Sequence, residues 1–253
     1  MDISYFCDSS VISEYLRIKG ILERMPRYSI GMHAGKQVIR EYTGYGDKTV
    51  RKTTHMKSQA YGGMQQKMHR YNEFLGLLKL YEDEIKRRHL TIPEKFEFKS
   101  DSSVFNIDYW NSLIPTANSF EIKSDYYDNY GYHVRSRGEM IIGNALKDLG
   151  LEAKYEPLLI LKNGKRIYPD YSFPVHVIDR CFFVEFVGMT DNEDYCNYNY
   201  GKIDEYMRNG ILPNRDLILI CGTNTWLPSQ DTIKHIIASF INTTVESVYK
   251  QKS

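Results

Sequence analysis

Apolar positions recur along this chain with two different periods, and the switches between them mark out its elements. Val11, Ile12, Tyr15, Leu16, Ile18, Ile21 and Leu22 return at steps of three and four, which predicts an amphipathic helix over residues 10–25, ended by Pro26. Two runs of mixed apolar and polar residues then flank Ala34-Gly35-Lys36, which predicts a β-hairpin with the glycine supplying the turn. No proline occurs from Thr54 to His89, where Met64, Met68, Tyr71, Phe74, Leu75, Leu78 and Tyr81 repeat at helical steps. One long helix follows from that pattern, with Gly62-Gly63 as its weak point. Residues 90–130 show little periodicity and read as a connector, so the chain divides into an amino-terminal region, 1–100, and a carboxy-terminal domain, 105–253.

The period alternates again in the carboxy-terminal part. RSRGEMIIGNALKDLG (135–150) predicts a helix capped by Ser136 and stopped by Gly150. YEPLLILKNGKRIYPDYSF (155–173) predicts two strands joined at Asn163-Gly164, and CFFVEFVG (181–188) a third, apolar nearly throughout and therefore central. A helix over DNEDYCNYNYGKIDEYMRNG (191–210) and a fourth buried strand in DLILICG (216–222) complete the series. The expected fold class is α/β, an αβββαβ core with a mixed central sheet, preceded by a mainly helical region with a β-hairpin.

Composition changes this picture little. Hydrophobic content of 42% and charged content of 26% are those of a globular protein. Cys7, Cys181, Cys196 and Cys221 are widely spaced and contain no CxxC pair, which points to reduced thiols rather than a disulfide framework or a zinc site. No apolar run reaches the length of a membrane span and the first residues lack the pattern of a signal peptide, so a cytoplasmic location is expected. His133 and His176 form no HxH or HExxH pattern and are expected to be structural or exposed.

Charge is more telling once it is divided along the chain. The total is +1, but residues 1–100 carry +6 and residues 101–253 carry −5. Basic and aromatic residues interleave in the first part, with Arg40, Lys52, Lys57 and Arg70 as candidate phosphate contacts beside tyrosines able to stack on bases. In the second part, acidic residues stand where hydrocarbon is expected. Asp170 closes the second strand of the hairpin, Glu185 interrupts FFVEFV, and Glu139 lies on the first helix. A carboxylate on a buried strand needs a cation, a metal or a proton. Three of them on adjoining elements are equipment for a hard cation such as Mg²⁺ or Mn²⁺ and for phosphodiester hydrolysis.

The order of elements, with Glu139 on the helix, Pro169-Asp170 at the hairpin and Glu185 on the next strand, resembles the PD-(D/E)xK nuclease superfamily over about residues 133–222. The resemblance implies a restriction-endonuclease-like fold, metal binding by Asp170 and Glu185 with the Phe186 carbonyl, and support from Glu139. It also implies a lysine two positions after the strand Glu that orients the attacking water, but Val187 stands there. VEFVGMTDNEDYCNYNYGKIDEY is instead similar to bacterial and phage members whose lysine has moved to the following helix. Lys202 is then the catalytic cation, and Tyr206 one turn on resembles the second residue of the Gln-x-x-x-Tyr pair of RecB-like nucleases, a further candidate contact to nucleic acid. The expected activity is Mg²⁺-dependent DNA endonuclease, with DNA as partner, no membrane partner, and a homodimer as one option. The other class left open is a catalytically inactive DNA- or protein-binding regulator on the same fold.

Overall fold

In a computed structural model that describes residues 1–250, the chain divides into two compact units: residues 11–96, and residues 1–10 together with 97–250.

The unit of residues 11–96 holds most of α1 (Asp8–Arg24), then β1 (Arg27–His33), β2 (Lys36–Thr43), β3 (Val50–His55) and α2 (Tyr61–Arg87). The β1–β2 turn puts both Ala34 and Gly35 at positive φ, +49° and +71°, as a two-residue hairpin loop requires. β3 is a third strand where the pattern predicted none. It pairs antiparallel with β2, but Thr54 is its only buried residue, so it carries no apolar alternation to reveal it. Gly62 and Gly63 fall in the first turn of α2, so they open the helix and do not break it. α2 packs on one face of the sheet, where the Tyr28 and Tyr71 rings meet edge to face at 5.6 Å.

The second unit contains α3 (Ile107–Ser112), the short pair β4 (Tyr126–Tyr127) and β5 (His133–Val134), and α4 (Arg137–Asp148). After these come β6 (Lys154–Tyr155), β7 (Leu159–Ile160), β8 (Arg166–Ile167), β9 (Tyr171–Val175), β10 (Arg180–Val187), α5 (Glu193–Arg208), β11 (Leu217–Cys221) and α6 (Gln230–Lys250). The class is mixed α/β, and the main sheet is itself mixed. Its order is β11-β10-β9-β6, with β10–β11 parallel and the other pairs antiparallel.

Four details differ from the sequence reading. The Asn163-Gly164 hairpin forms, but β7 and β8 make a separate two-stranded sheet. Asp170 therefore does not close the hairpin; it directly precedes β9, a strand of its own. α3 stands inside the expected connector, and α6 adds a long helix beyond the predicted core.

Side chains of β10 alternate between two cores. Cys181 and Phe183 join a cluster with Trp110 of α3, Tyr206 of α5 and Leu217 of β11. Phe182 turns to the other face, edge to face with Phe240 of α6, while α4 covers Phe186 and Tyr171 on that side. The first ten residues are tied into this unit. The Asp2 N–H donates to the Asp148 carbonyl at the end of α4, the Cys7 N–H donates to the Asn242 side chain on α6, and Ile3 and Phe6 are buried.

Candidate active site

β9 and β10 set the first two site residues side by side. Their register ends with Val184 paired to Tyr171, and Asp170 and Glu185 are the next residue on each side of that last pair, close enough for the Glu185 charge to act on Asp170. Asp170 stays close to the strand end, where its Oδ2 accepts from the Phe186 N–H at 2.6 Å. The amide of Phe186, rather than the carbonyl, thus faces this carboxylate.

Glu185 is buried, and both of its oxygens are occupied from α5. Lys202 Nζ donates to Oε2 at 2.8 Å and the Tyr206 hydroxyl to Oε1 at 2.5 Å. The two donors are four residues apart, one turn of the helix. Lys202 also donates to the Tyr168 carbonyl at 3.0 Å, which fixes the ammonium between α5 and the approach to β9. Burial works against that ammonium, but the Glu185 and Asp170 charges outweigh it and hold its pKa above the ordinary lysine value.

Glu139 arrives from α4 on the other face of the sheet. Ser136 caps the helix by accepting from the Glu139 N–H, and Glu139 reaches back to accept from the Ser136 hydroxyl and the Arg135 N–H, a variant of the capping box. The buried Tyr155 hydroxyl adds a third donor at 2.7 Å. Glu139 therefore serves the helix start as well as lending its charge to the site.

The three carboxylates press on one another. Burial, then the Glu185 charge, pushes Asp170 up to about 8, although solvent still reaches part of the side chain. Burial, then Asp170, raises Glu139 to about 7. Glu185 is raised by burial despite Lys202 and Tyr206. Once these carboxyls lose their protons, Lys202 alone leaves the cluster short of positive charge.

That shortage is what a divalent cation relieves. Among the described residues no three of His, Cys, Asp or Glu gather closely enough to cage a metal by themselves. Mg²⁺, however, is commonly held by one or two carboxylates together with waters and substrate phosphates. Asp170, partly open to solvent, offers an oxygen for that kind of binding, and Glu185, buried with both oxygens taken by Lys202 and Tyr206, would join it only by releasing one of those donors.

The remaining candidates are placed as follows. Tyr206, expected to touch nucleic acid, is wholly buried with its hydroxyl on Glu185, so it positions the carboxylate and presents no surface. Arg40 on β2, Lys52 on β3, Lys57 in the turn after β3 and Arg70 on α2 all belong to the other unit; Arg40 is partly exposed and the other three exposed. Arg70 lies over the Phe74 ring. His133 stacks on Tyr127 and bonds the Ser124 carbonyl, His176 meets Glu152, and all four cysteines are free thiols. No described helix is long and apolar enough to cross a membrane.

Sequence reasoning missed Tyr155 and Tyr168, one acting through a hydroxyl on Glu139 and the other through a carbonyl on Lys202. Tyr155, set between Lys154 and Glu156, carried no signal that separated it from the chain's other tyrosines. A backbone carbonyl carries none. Compared with known protein families, curated proteins and solved structures, the chain matches none.

Proposed function

We propose that this chain is a Mg²⁺-dependent nuclease acting on DNA, with β6–β9–β10–β11, α4 and α5 forming a restriction-endonuclease-like core. The observation that carries the reading is Asp170 and Glu185 together at the end of the β9–β10 ladder, with the Lys202 ammonium 2.8 Å from Glu185. In such a site Asp170 and Glu185 would hold the ion, with Glu139 supporting it. A divalent ion held there activates water and neutralises charge on the scissile phosphate. Lys202, kept protonated by its two carboxylate neighbours, orients the attacking water and adds fixed positive charge where the phosphate becomes more negative. The Tyr206 hydroxyl fixes Glu185 from α5, and the Phe186 N–H holds Asp170.

The test is cleavage of supercoiled plasmid with Mg²⁺ against an EDTA control. Nicking by the wild-type chain, lost in Asp170→Asn and in EDTA, is the expected result; equal nicking by Asp170→Asn would refute the assignment.

One observation favours the second reading, a nuclease-fold protein that binds without cutting. Lys202 already compensates Glu185, as a metal otherwise would. Calorimetry separates the two, because a non-catalytic site of that kind takes up no Mg²⁺ or Mn²⁺.

A further inference from the structure

In the three-stranded sheet of residues 27–55, paired residues share a face and successive residues alternate. One face is therefore built from four cross-strand rows: Arg27–Tyr42–Arg51, Ser29–Arg40–Thr53, Gly31–Val38–His55 and His33–Lys36. Every charged or titratable side chain in these rows is basic or tyrosine, and none is acidic. The opposite face carries Tyr28, Glu41 and Lys52 in one row and is the face that α2 covers through Tyr71. Lys52, a sequence candidate, thus sits opposite Glu41 on the helix side, whereas Arg40 sits on the basic face.

The basic face is also shaped to stay flat. A Cβ on Gly31 would come within 2.5 Å of the Arg40 guanidinium carbon, so the glycine lets that group lie across β1. There it donates to the Met32 carbonyl at 3.0 Å. The Arg27 guanidinium is steadied by the Gly44 carbonyl and the Tyr45 ring. His33 and His55 meet edge to face at 5.1 Å over the buried Val38. Lys36 and Arg51 stand exposed at opposite ends. The Tyr42 hydroxyl is drawn below its usual pKa, first by a hydrogen bond with Ser29 and then by the Arg40 and Arg51 charges. By strand geometry the strip measures about 20 Å by 10 Å.

We infer that the Arg27–Lys36–Arg40–Arg51 face of this sheet is a binding surface for the phosphodiester backbone of DNA. Charge complementarity selects the occupant: a run of fixed cations with no acid among them suits a regularly spaced polyanion, and most contacts to such a partner are made to phosphates. The inference rests on the proposed reading of the chain as a protein that acts on DNA, and it names the residues that grip rather than cut.

The experiment is fluorescence anisotropy of the full chain with a fluorescein-labelled mixed-sequence 20-base-pair duplex, and with one of its single strands, over a range of salt in EDTA. Lys36→Glu/Arg51→Glu should weaken binding at least tenfold near 100 mM salt and flatten the log–log salt slope by about two, one counterion per lost phosphate contact. Lys36→Gln/Arg51→Gln should lie between this variant and wild type. Lys67→Glu/Lys79→Glu, with the same change of charge placed on α2, should stay within about twofold of wild type. Equal weakening by the two Glu variants would reduce the effect to net charge and overturn the inference, as would failure of the wild-type chain to bind either probe. Circular dichroism and melting confirm that each variant is folded. EDTA suppresses hydrolysis, so the outcome stands apart from the carboxylate site, and a chain that binds here but never cuts would fail the nuclease reading alone.

Discussion

Lys202 shows how far one residue can change the chemistry of its surroundings. Remove its ammonium and Glu185 is left buried with the Tyr206 hydroxyl on one oxygen and no cation on the other, so the carboxyl takes up a proton instead. Lys202→Ala should fold, keep DNA binding, and cleave about 10²-fold more slowly, the usual scale for losing a fixed electrostatic stabiliser; wild-type turnover by this variant in the plasmid assay removes Lys202 from the mechanism. The raised carboxylates also set a pH dependence. With Asp170 near 8 and Glu139 near 7, the folded chain binds protons that the unfolded chain releases from about pH 4 upward. The metal-free protein should therefore lose stability as pH rises from about 4 to 8. Mg²⁺ should recover it, most strongly at the alkaline end where protons no longer compete. Melting temperatures at pH 5, 6.5 and 8 with and without Mg²⁺ check both halves, and Asp170→Asn should flatten the slope. A melting temperature that holds level across this range, or no Mg²⁺ response at pH 8, counts against the cluster.

At the scale of elements, the site depends on how closely α4 approaches β10. Gly138 is the contact point, because a Cβ there would meet the Phe186 ring at 2.2 Å, and the same ring is closed in by Gly188 and Gly222. The methyl of Gly138→Ala would overlap the ring, so the substitution should shift Phe186 at a cost of about 1–3 kcal/mol. Because the Phe186 N–H holds Asp170, cleavage and Mg²⁺ affinity should fall beyond what lost stability explains. Thermal melting paired with calorimetry separates these effects; a stable variant with unchanged Mg²⁺ affinity breaks the link. Elements with strong local signals were legible: α1, the β1–β2 hairpin, α2, α4 with its Ser136 cap, β10 and α5. β3 was not, since its residues are polar and its strand character comes from pairing with β2. The role of Tyr206 was misjudged because helical stepping places it on a face but does not say what lies against that face.

For the whole molecule, the unit that carries the site is closed by residues from both ends of the sequence. Ile3 and Phe6 are buried in it, and Asp2, Tyr5 and Cys7 bond to α4 and α6. A chain lacking residues 1–10 should melt well below the full chain although it loses no site residue, since Ile3 and Phe6 alone contribute about 2 kcal/mol each through burial. Asn242→Ala, which removes the partner of Cys7 and Tyr5, should move the melting temperature the same way by a smaller amount; no change in either variant would mean the segment is not part of the folded unit.

What the sequence determined by itself is local or periodic. It held the identities and spacing of Asp170, Glu185 and Lys202, the cap at Ser136, the turns at Gly35 and Gly164, and the division of charge between the two ends of the chain. Only the tertiary structure decided what depends on register and contact between distant segments. It set Asp170 beside Glu185 at the end of the β9–β10 ladder, put both donors of α5 on Glu185, tied Glu139 to its own helix cap, and sorted Arg40 from Lys52 onto opposite faces. Periodicity reports the side of an element on which a residue lies. The partner it meets there is set by packing between parts of the chain tens to hundreds of residues apart, and no local pattern records that.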